Sequence, residues 1–468
     1  MIISRSPQNP DDVIASVAPA SAADVDAAFA KARAAQKQWW AMGAAARAAA
    51  LHAAGEALAA RADDVAMLAM REVGKPITES KGEVARGVSI LRYYAQASFM
   101  PKGDVFPPST NVMLWSERRP HGVAGLITPW NFPIAIPLWK AVPALSAGNA
   151  VVMKPSQEAF GCALFLQELF APHFPDGLFQ VVVGTGSGAG NALTANADII
   201  SFTGSTAVGR QIVMTAAARN VPVQAEMGGQ NAAIVLADAD LERAIPGILW
   251  GSTANSGQSC LSIERVYVHE SLIEKFAAGI SAIAMKLGVN YPDLSSGSLG
   301  PIIAEDQIAI IESHLADAYQ KGATALSGGE LKFLGGGAYL EPTVLVNVDH
   351  SMKVMTEETF GPIIPIMSFS SDEEVIRLAN DTPYGLSASV FGSEASARAI
   401  GKRIDAGAVS INDAALTGVM HEGEKQAFKL SGIGGSRMGK ISIRRFYRRQ
   451  SLLINRNSTP DPWWWRTS

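Results

Sequence analysis

Cys260 lies in the stretch 252–262, STANSGQSCLS, a Gly/Ser-rich turn between a predicted helix (240–254) and a predicted strand (265–269). A thiolate is the most nucleophilic side chain within reach of neutral pH, so a cysteine on a polar turn can attack an electrophilic carbon and hold it covalently. The same residue type also serves as a small buried hydrophobe, and the choice depends on what surrounds it. A second chemical signal is Ser201-Phe202-Thr203-Gly204-Ser205-Thr206, where a strand runs into a helix whose first N–H groups could hold a pyrophosphate. An ordinary capped strand-to-helix turn is the alternative. Gly184, Gly186 and Ala189 fit the G-x-G-x-x-A dinucleotide spacing, but no acidic residue follows about twenty positions on at a strand end. Gly204 and Gly209 have P-loop spacing, yet Arg210 stands where the lysine belongs.

These residues need a scaffold, and length and composition bound it. A chain of 468 residues exceeds one ordinary core, so two or three domains are expected. With 48% hydrophobic and 18% charged residues the composition is globular. A net charge of −4 gives no argument for nucleic acid or membrane binding and leaves small molecules as partners. Two cysteines exclude a disulfide framework and suit a reducing, cytoplasmic compartment. The N-terminal residues lack the apolar run of a signal peptide. Residues 122–139 form an uncharged run of 18 residues, but Pro129, Pro133 and Pro137 interrupt it. The run is therefore read as a buried strand, an irregular loop and the start of a helix rather than a membrane span.

Residues 22–99 carry apolar positions at helical spacing and predict three helices, jointed at Gly43 and at Gly74-Lys75-Pro76. Residues 101–120 read as a β excursion. From residue 123 onward short apolar strands alternate with helices, with strands expected at 123–128, 150–153, 178–183, 199–203, 222–225 and 232–236. The same style continues to residue 412. The fold class is α/β, with two doubly wound, mainly parallel-sheet domains. The tail carries Arg444, Arg445, Arg448 and Arg449, a strand-like run 451–455 and three tryptophans, Trp463 to Trp465. Arg beside aromatics suits a nucleic-acid patch or a subunit contact, and the acidic net charge favours the contact. Paired with 101–120, the tail would make an arm for oligomerisation.

Four runs occur in order: Pro129-Trp130-Asn131-Phe132-Pro133, Glu226-Met227-Gly228-Gly229-Gln230-Asn231, Gly257-Gln258-Ser259-Cys260 and Glu357-Glu358-Thr359-Phe360-Gly361-Pro362. Together they resemble the signature motifs of the aldehyde dehydrogenase superfamily, over essentially the whole chain. The resemblance implies that an aldehyde and NAD or NADP are converted to carboxylate and reduced cofactor through a thioester on Cys260. It implies oxyanion donors at the Asn131 amide and the Cys260 N–H, and a general base at Glu226 for thioester hydrolysis. A turn role for Asn131 and a structural carboxylate at Glu226 are the plain alternatives. The implied cofactor contacts are Trp130, Lys154, Ser156, Gln157, Gly204, Ser205, Glu358 and Phe360; no metal is implied. The implied domains are a dinucleotide-binding domain (1–100 and 121–228), a catalytic domain (229–428) and a β arm (101–120 and 440–468), assembled as a homodimer or homotetramer.

Departures from the family pattern bear on specificity. NAD-preferring members carry Glu three residues after the Lys154 position; here it is Gln157, which leaves NADP open. Gln426-Ala427 and Gly435-Ser436-Arg437 replace the usual residues near the substrate entrance. Succinic-semialdehyde members carry Arg eight residues after the motif asparagine, and this chain has Trp139. With Phe132, Ile136, Ser259 and Leu261 expected nearby, a neutral apolar or aromatic aldehyde is predicted. A CoA-acylating enzyme would use the same cysteine without the base at Glu226. A structural or binding use of the fold would not need the constellation at all.

Overall fold

The structure is a computed structural model and describes residues 1–464 except 101, 110, 415, 421 and 462, with backbone alone at 108 and 109. Trp465, the last of the tail tryptophans, and Pro101, at the edge of the expected arm, lie outside the described residues. The chain opens with a hairpin, β1 (Ile2–Ser6) and β2 (Asn9–Val17). Sequence patterning gives no sign of it, because the inward positions of β1 include Ser4 and Ser6, which break the hydrophobic alternation. Four helices follow where three are expected: α1 (Ala22–Ala41), α2 (Gly43–Ala60), α3 (Ala62–Val73) and α4 (Ile77–Ala97). The extra joint is Arg61, at φ −111°. No Gly or Pro marks it; Arg61 is held instead by Asp64 and by the ring of Phe165, 5.2 Å from the guanidinium.

The hairpin β3 (Gly103–Ser109) and β4 (Val112–Pro120) leaves the helical block, and Tyr447–Asn455 pairs antiparallel along all of β4. The strands β5 (Val123–Ile127), β6 (Ala150–Lys154), β7 (Phe179–Val181), β8 (Ile199–Thr203) and β9 (Val223–Glu226) form a parallel sheet. Its order is β9-β8-β5-β6-β7, and the short strand Gly432–Ile433 closes the β9 edge antiparallel. The chain winds outward from β5 in both directions, so the carboxyl ends of β5, β6 and β8 flank a topological switch point. The uncharged run 122–139 becomes β5, a loop, and the first part of α5 (Ala135–Ser146).

The second sheet runs Thr324–Ser327, Thr343–Val346, Ile363–Phe369, β11 (Ile263–His269), β10 (Asn231–Val235), Ala388–Phe391 and Val409–Ile411. Only its Thr324–Ser327 edge is antiparallel. Apolar clusters cover both of its faces, and a larger one joins the first sheet to the helices. Buried faces on both sides explain why these strands read as continuous apolar runs. Among the described residues no helix is long and apolar enough to cross a membrane.

One buried ion pair joins these parts. Lys75, in the break between α3 and α4, meets Glu83 of α4 at 2.6 Å, with the side chains 1% and 2% exposed. Glu83 also accepts the N–H groups of Ile134 and Ala135 at 2.8 and 2.9 Å, capping α5, which has no cap of its own. Lys75→Met strands the Glu83 charge in the interior, so the denaturation midpoint should fall by the equivalent of about 3–5 kcal/mol. The double variant Lys75→Met/Glu83→Gln, which removes both charges and keeps an acceptor for the α5 N–H groups, should recover much of that loss, as read by chemical denaturation.

Candidate active site

The turn carrying Cys260 is built from backbone that few residues tolerate. Asn255, Ser256 and Gly257 all have positive φ, at 53°, 56° and 72°. A Cβ on Gly257 would meet the Gly361 carbonyl at 2.3 Å, so this glycine lets two loops touch. Side-chain amides lock the geometry. Asn255 Nδ2 donates to the carbonyls of Asn131 and Gln258, both at 3.1 Å. Gln258 Nε2 donates to Asn255 and Pro301, and Asn231 Nδ2 donates to the Cys260 carbonyl at 2.9 Å. Asn131 lies just past β5; its carbonyl also takes the Lys75 ammonium at 2.7 Å, and its Nδ2 donates to the Gln258 carbonyl at 3.0 Å. Loops from both sheets are thereby stitched around one sulfur.

That sulfur is half-buried, and it is the residue shared by two cavities. Burial pushes its thiol up to about 12; Arg437 pulls it down, and the like charges of Glu226 and Glu358 push it up. Glu226 ends β9, 2% exposed. Its Oε1 accepts from Gln224 Nε2 at 3.0 Å, while its Oε2 is buried without a partner. Gln224 Oε1 in turn accepts from Ser201 at 2.6 Å and from Lys140 Nζ at 3.4 Å. Burial lowers the Lys140 amine to about 8. Sequence reading passes over Lys140, although the signal is there: it is the first charge after the 18-residue uncharged run.

The first cavity, about 430 Å³, opens at the switch point and is lined by Trp130, Asn131, Lys154, Ser156, Gly204, Ser205, Glu358 and Phe360. The helix Thr206–Ala217 begins there with no side chain capping its first turn, which leaves its N–H groups for an anion. Thr128, Asn131 and Thr203 each place a buried oxygen without a partner on this wall. Burial lowers the Lys154 amine. These features fit a dinucleotide: free helix N–H groups for the pyrophosphate, an amine for a ribose and unpaired polar atoms beside the sulfur. Glu358 accepts from Gly229 N–H at 2.8 Å, and burial pushes its carboxyl up to about 7. Its Oε2 lies 2.4 Å from where a Cβ on Gly228 would stand, so that glycine admits the carboxylate. Phe360, at φ 54°, meets the Trp130 ring edge-to-face at 5.7 Å. Buried Glu264, unanticipated from sequence, holds this bend by accepting the N–H groups of Thr359 and Phe360.

Two expected site residues fall elsewhere. Gln157 faces a separate surface cleft beside β1 and Ile303. Ser156 and Glu158 line the dinucleotide cavity and hydrogen-bond each other across a bend that leaves Gln157 outside it; Glu158 also borders the cleft that Gln157 faces. Ile136 is fully buried in the core, on a different face of α5 from Ala135 and Trp139, which line the cavity together with Phe132 of the preceding loop. The Gly186–Gly190 run forms an irregular helical turn outside the cavity. The second cavity, about 420 Å³, is lined by Phe132, Trp139, Ser259 and Leu261 as expected, and by Glu79, Arg86, Trp250 and Val419, which sequence reading did not include. Among the described residues no cluster of His, Cys, Asp and Glu suited to a metal is present.

Comparisons with known proteins agree with this geometry. The profile described as "Aldehyde dehydrogenase family" matches residues 2–452. The chain is 38% identical over 387 residues to the Escherichia coli (strain K12) protein named succinate-semialdehyde dehydrogenase (NADP(+)) GabD, covering 81% of this chain and 79% of that one. It superposes on a structure titled putative aldehyde dehydrogenase PutA from Anabaena variabilis with a TM-score of 0.95 and 42% identity, over 99% and 100% of the two chains. Betaine aldehyde dehydrogenase (betB) from Staphylococcus aureus, solved in complex with NAD+, matches with a TM-score of 0.93 and 29% identity, over 99% and 93%. A chain whose every strand and site loop lies within so complete a match belongs to the aldehyde dehydrogenase family.

Proposed function

We propose that the protein oxidises an aldehyde to the carboxylic acid with NAD(P)+ and water, using Cys260 as nucleophile. The observation that carries this reading is that Cys260 is the residue common to the two cavities: one fits a dinucleotide and the other, largely apolar, fits an aldehyde. The thiol gives up its proton and its sulfur adds to the aldehyde carbon. The Asn131 amide and the Cys260 N–H steady the resulting alkoxide, a contribution of roughly 3–4 kcal/mol for one such donor. Trp130, Glu358 and Phe360 would hold a nicotinamide, which would accept the hydride expelled from the same carbon as the alkoxide collapses. The product on the protein is then a thioester. Glu226, with its Oε2 unpaired, takes a proton from water, which adds to the thioester carbon and releases the acid and the thiol. The Gln224, Ser201 and Lys140 network behind Glu226 holds its Oε1 and leaves Oε2 for the water, and the proton taken up there returns to the leaving sulfur. The presence of Glu226 speaks against transfer to CoA, and the intact constellation speaks against a purely structural role.

Gln157, facing away, has no part in choosing the cofactor; Glu158 does. Its carboxylate in the dinucleotide cavity would accept ribose hydroxyls and repel a 2′-phosphate, which favours NAD. Exposed Val105, Leu453, Trp463 and Trp464 on and beside the three-stranded arm support its use as a contact between copies, in a homodimer or homotetramer. For the substrate, the apolar wall of Phe132, Leu261 and Val419 supports an aldehyde with a carbon chain.

Glu226→Gln should give a single burst of reduced nicotinamide followed by steady turnover slowed about 100-fold or more, whereas Cys260→Ala gives no burst. In the same Glu226→Gln variant the loss of a like charge lowers the thiol pKa, so Cys260 should be alkylated by iodoacetamide faster than in the parent at pH 8; an unchanged rate removes Glu226 from the sulfur's surroundings. For the cofactor, Glu158→Gln should narrow the preference for NAD+ over NADP+ by about 10-fold, measured as dissociation constants by tryptophan quenching without aldehyde.

A further inference from the structure

The aldehyde-side cavity contains a positive charge, Arg86, that Glu83 and Glu226 influence from a distance but that no carboxylate among the described residues meets in an ion pair. The helix α4 places Glu79, Glu83 and Arg86 on one face, four and three residues apart, and all three reach the cavity wall. Its two carboxylates are already engaged. Glu83 holds Lys75 and the start of α5. Glu79 accepts the Asn255 N–H at 2.7 Å, and burial pushes its carboxyl up to about 7, which weakens its charge at neutral pH.

Arg86 has no such partner. Its guanidinium stacks on the ring of Trp139 at 5.0 Å and touches Met438 Sδ at 3.8 Å, and its buried Nε makes no hydrogen bond. Trp139, 5% exposed, leaves its indole Nε1 unpaired as well. Among the described wall residues these are the two buried polar atoms without a partner, and both are donors. Behind them lies Arg437, 3% exposed, with one Nη on the Thr417 carbonyl at 3.1 Å and an unpaired Nε; its charge repels Arg86. Among the described residues neither arginine has a carboxylate in ion-pair contact. Buried donors left unpaired are costly and uncommon, and donors alone call for an acceptor that brings negative charge.

We propose, resting on the oxidation described above, that the substrate is an aldehyde bearing an anionic group, carboxylate or sulfonate, at its far end. Arg86 and the Trp139 N–H receive that group, with Arg437 behind them raising the local positive potential. Phe132, Leu261 and Val419 cover the carbons between the anion and the reacting carbonyl. Trp139, which from sequence speaks for an uncharged substrate, instead carries a cation on its ring face, supplied by the neighbouring helix. The anion-binding positions thus come from α4 and α5 together.

The test uses the full-length enzyme with NAD+ and four aldehydes: succinic semialdehyde, glutaric semialdehyde, 3-sulfopropanal and pentanal. At least one anionic aldehyde should exceed pentanal in kcat/KM by about 100-fold, and comparison of the carboxylate and sulfonate arms identifies the anion. Arg86→Met should shrink that preference by about 10- to 100-fold, chiefly through KM. Trp139→Phe, which keeps the ring and loses only the N–H, should shrink it several-fold and serves if the arginine variant does not fold. Equal or better use of pentanal by the parent enzyme, or a preference that survives both substitutions, overturns the anion site while leaving the oxidation standing. Failure of all four aldehydes to reduce nicotinamide overturns the oxidation and the anion site with it.

Discussion

The Lys75–Glu83 pair sets the position of nearly everything around the sulfur. Its ammonium holds the Asn131 carbonyl and sits 4.2 Å from the Phe132 ring, and its carboxylate caps α5. The pair therefore fixes the loop after β5 from one side while Asn255 and Gln258 fix it from the other. Burying two charges is expensive, and geometry this fully satisfied is what makes it tolerable. The same device recurs twice. Glu72 accepts the N–H groups of Gly161 and Cys162 at the start of a helix, and Glu264 accepts those of Thr359 and Phe360 at the bend beside Glu358. Burial pushes the carboxyls of both up, that of Glu264 well up, and the N–H donors act against it. Three carboxylates thus act as clamps on backbone that has no regular partner.

The sheets do the coarser positioning. A parallel sheet wound outward from β5 gathers the carboxyl ends of β5, β6 and β8, and with them Trp130, Lys154 and Ser205. The second sheet delivers Cys260 just ahead of β11, and the strand Gly432–Ile433 returns from it to seal the β9 edge beside Glu226. Gly432 is required there, since a Cβ would lie 2.3 Å from the Ala225 carbonyl. Gly432 thus marks a close approach between strands.

Much of this was legible in the sequence where one physical signal dominated. Continuous apolar runs announced the buried parallel strands, and the motif runs supplied Cys260, Asn131 and Glu358, which line the first cavity, and Glu226, which ends β9 and lines neither cavity. Legibility failed where the deciding term was tertiary. Glu72, Glu83 and Glu264 look like ordinary solvated carboxylates until their N–H partners, up to 96 residues away, are known. Gln157 and Glu158 are neighbours, and only the local turn decides which one faces the dinucleotide cavity. Ile136 and Ala135 differ by one step around α5, and the helix phase, set by Glu83 at its cap, decides between core and cavity. Arg86 carried no motif at all; its meaning lies in the absence of a counter-charge, which a sequence cannot display.

The sulfur shared by two otherwise separate cavities also governs traffic. Because the two walls have only Cys260 in common, a molecule in one cavity does not stand in the exit path of a molecule in the other. On the oxidation proposed above, an acid could depart while a dinucleotide stays, and a dinucleotide could be exchanged while an acyl group remains attached. Order of arrival and departure is then set by the relative affinities of the two sides rather than by obstruction, and the single atom at the junction is the one place where the two populations must meet.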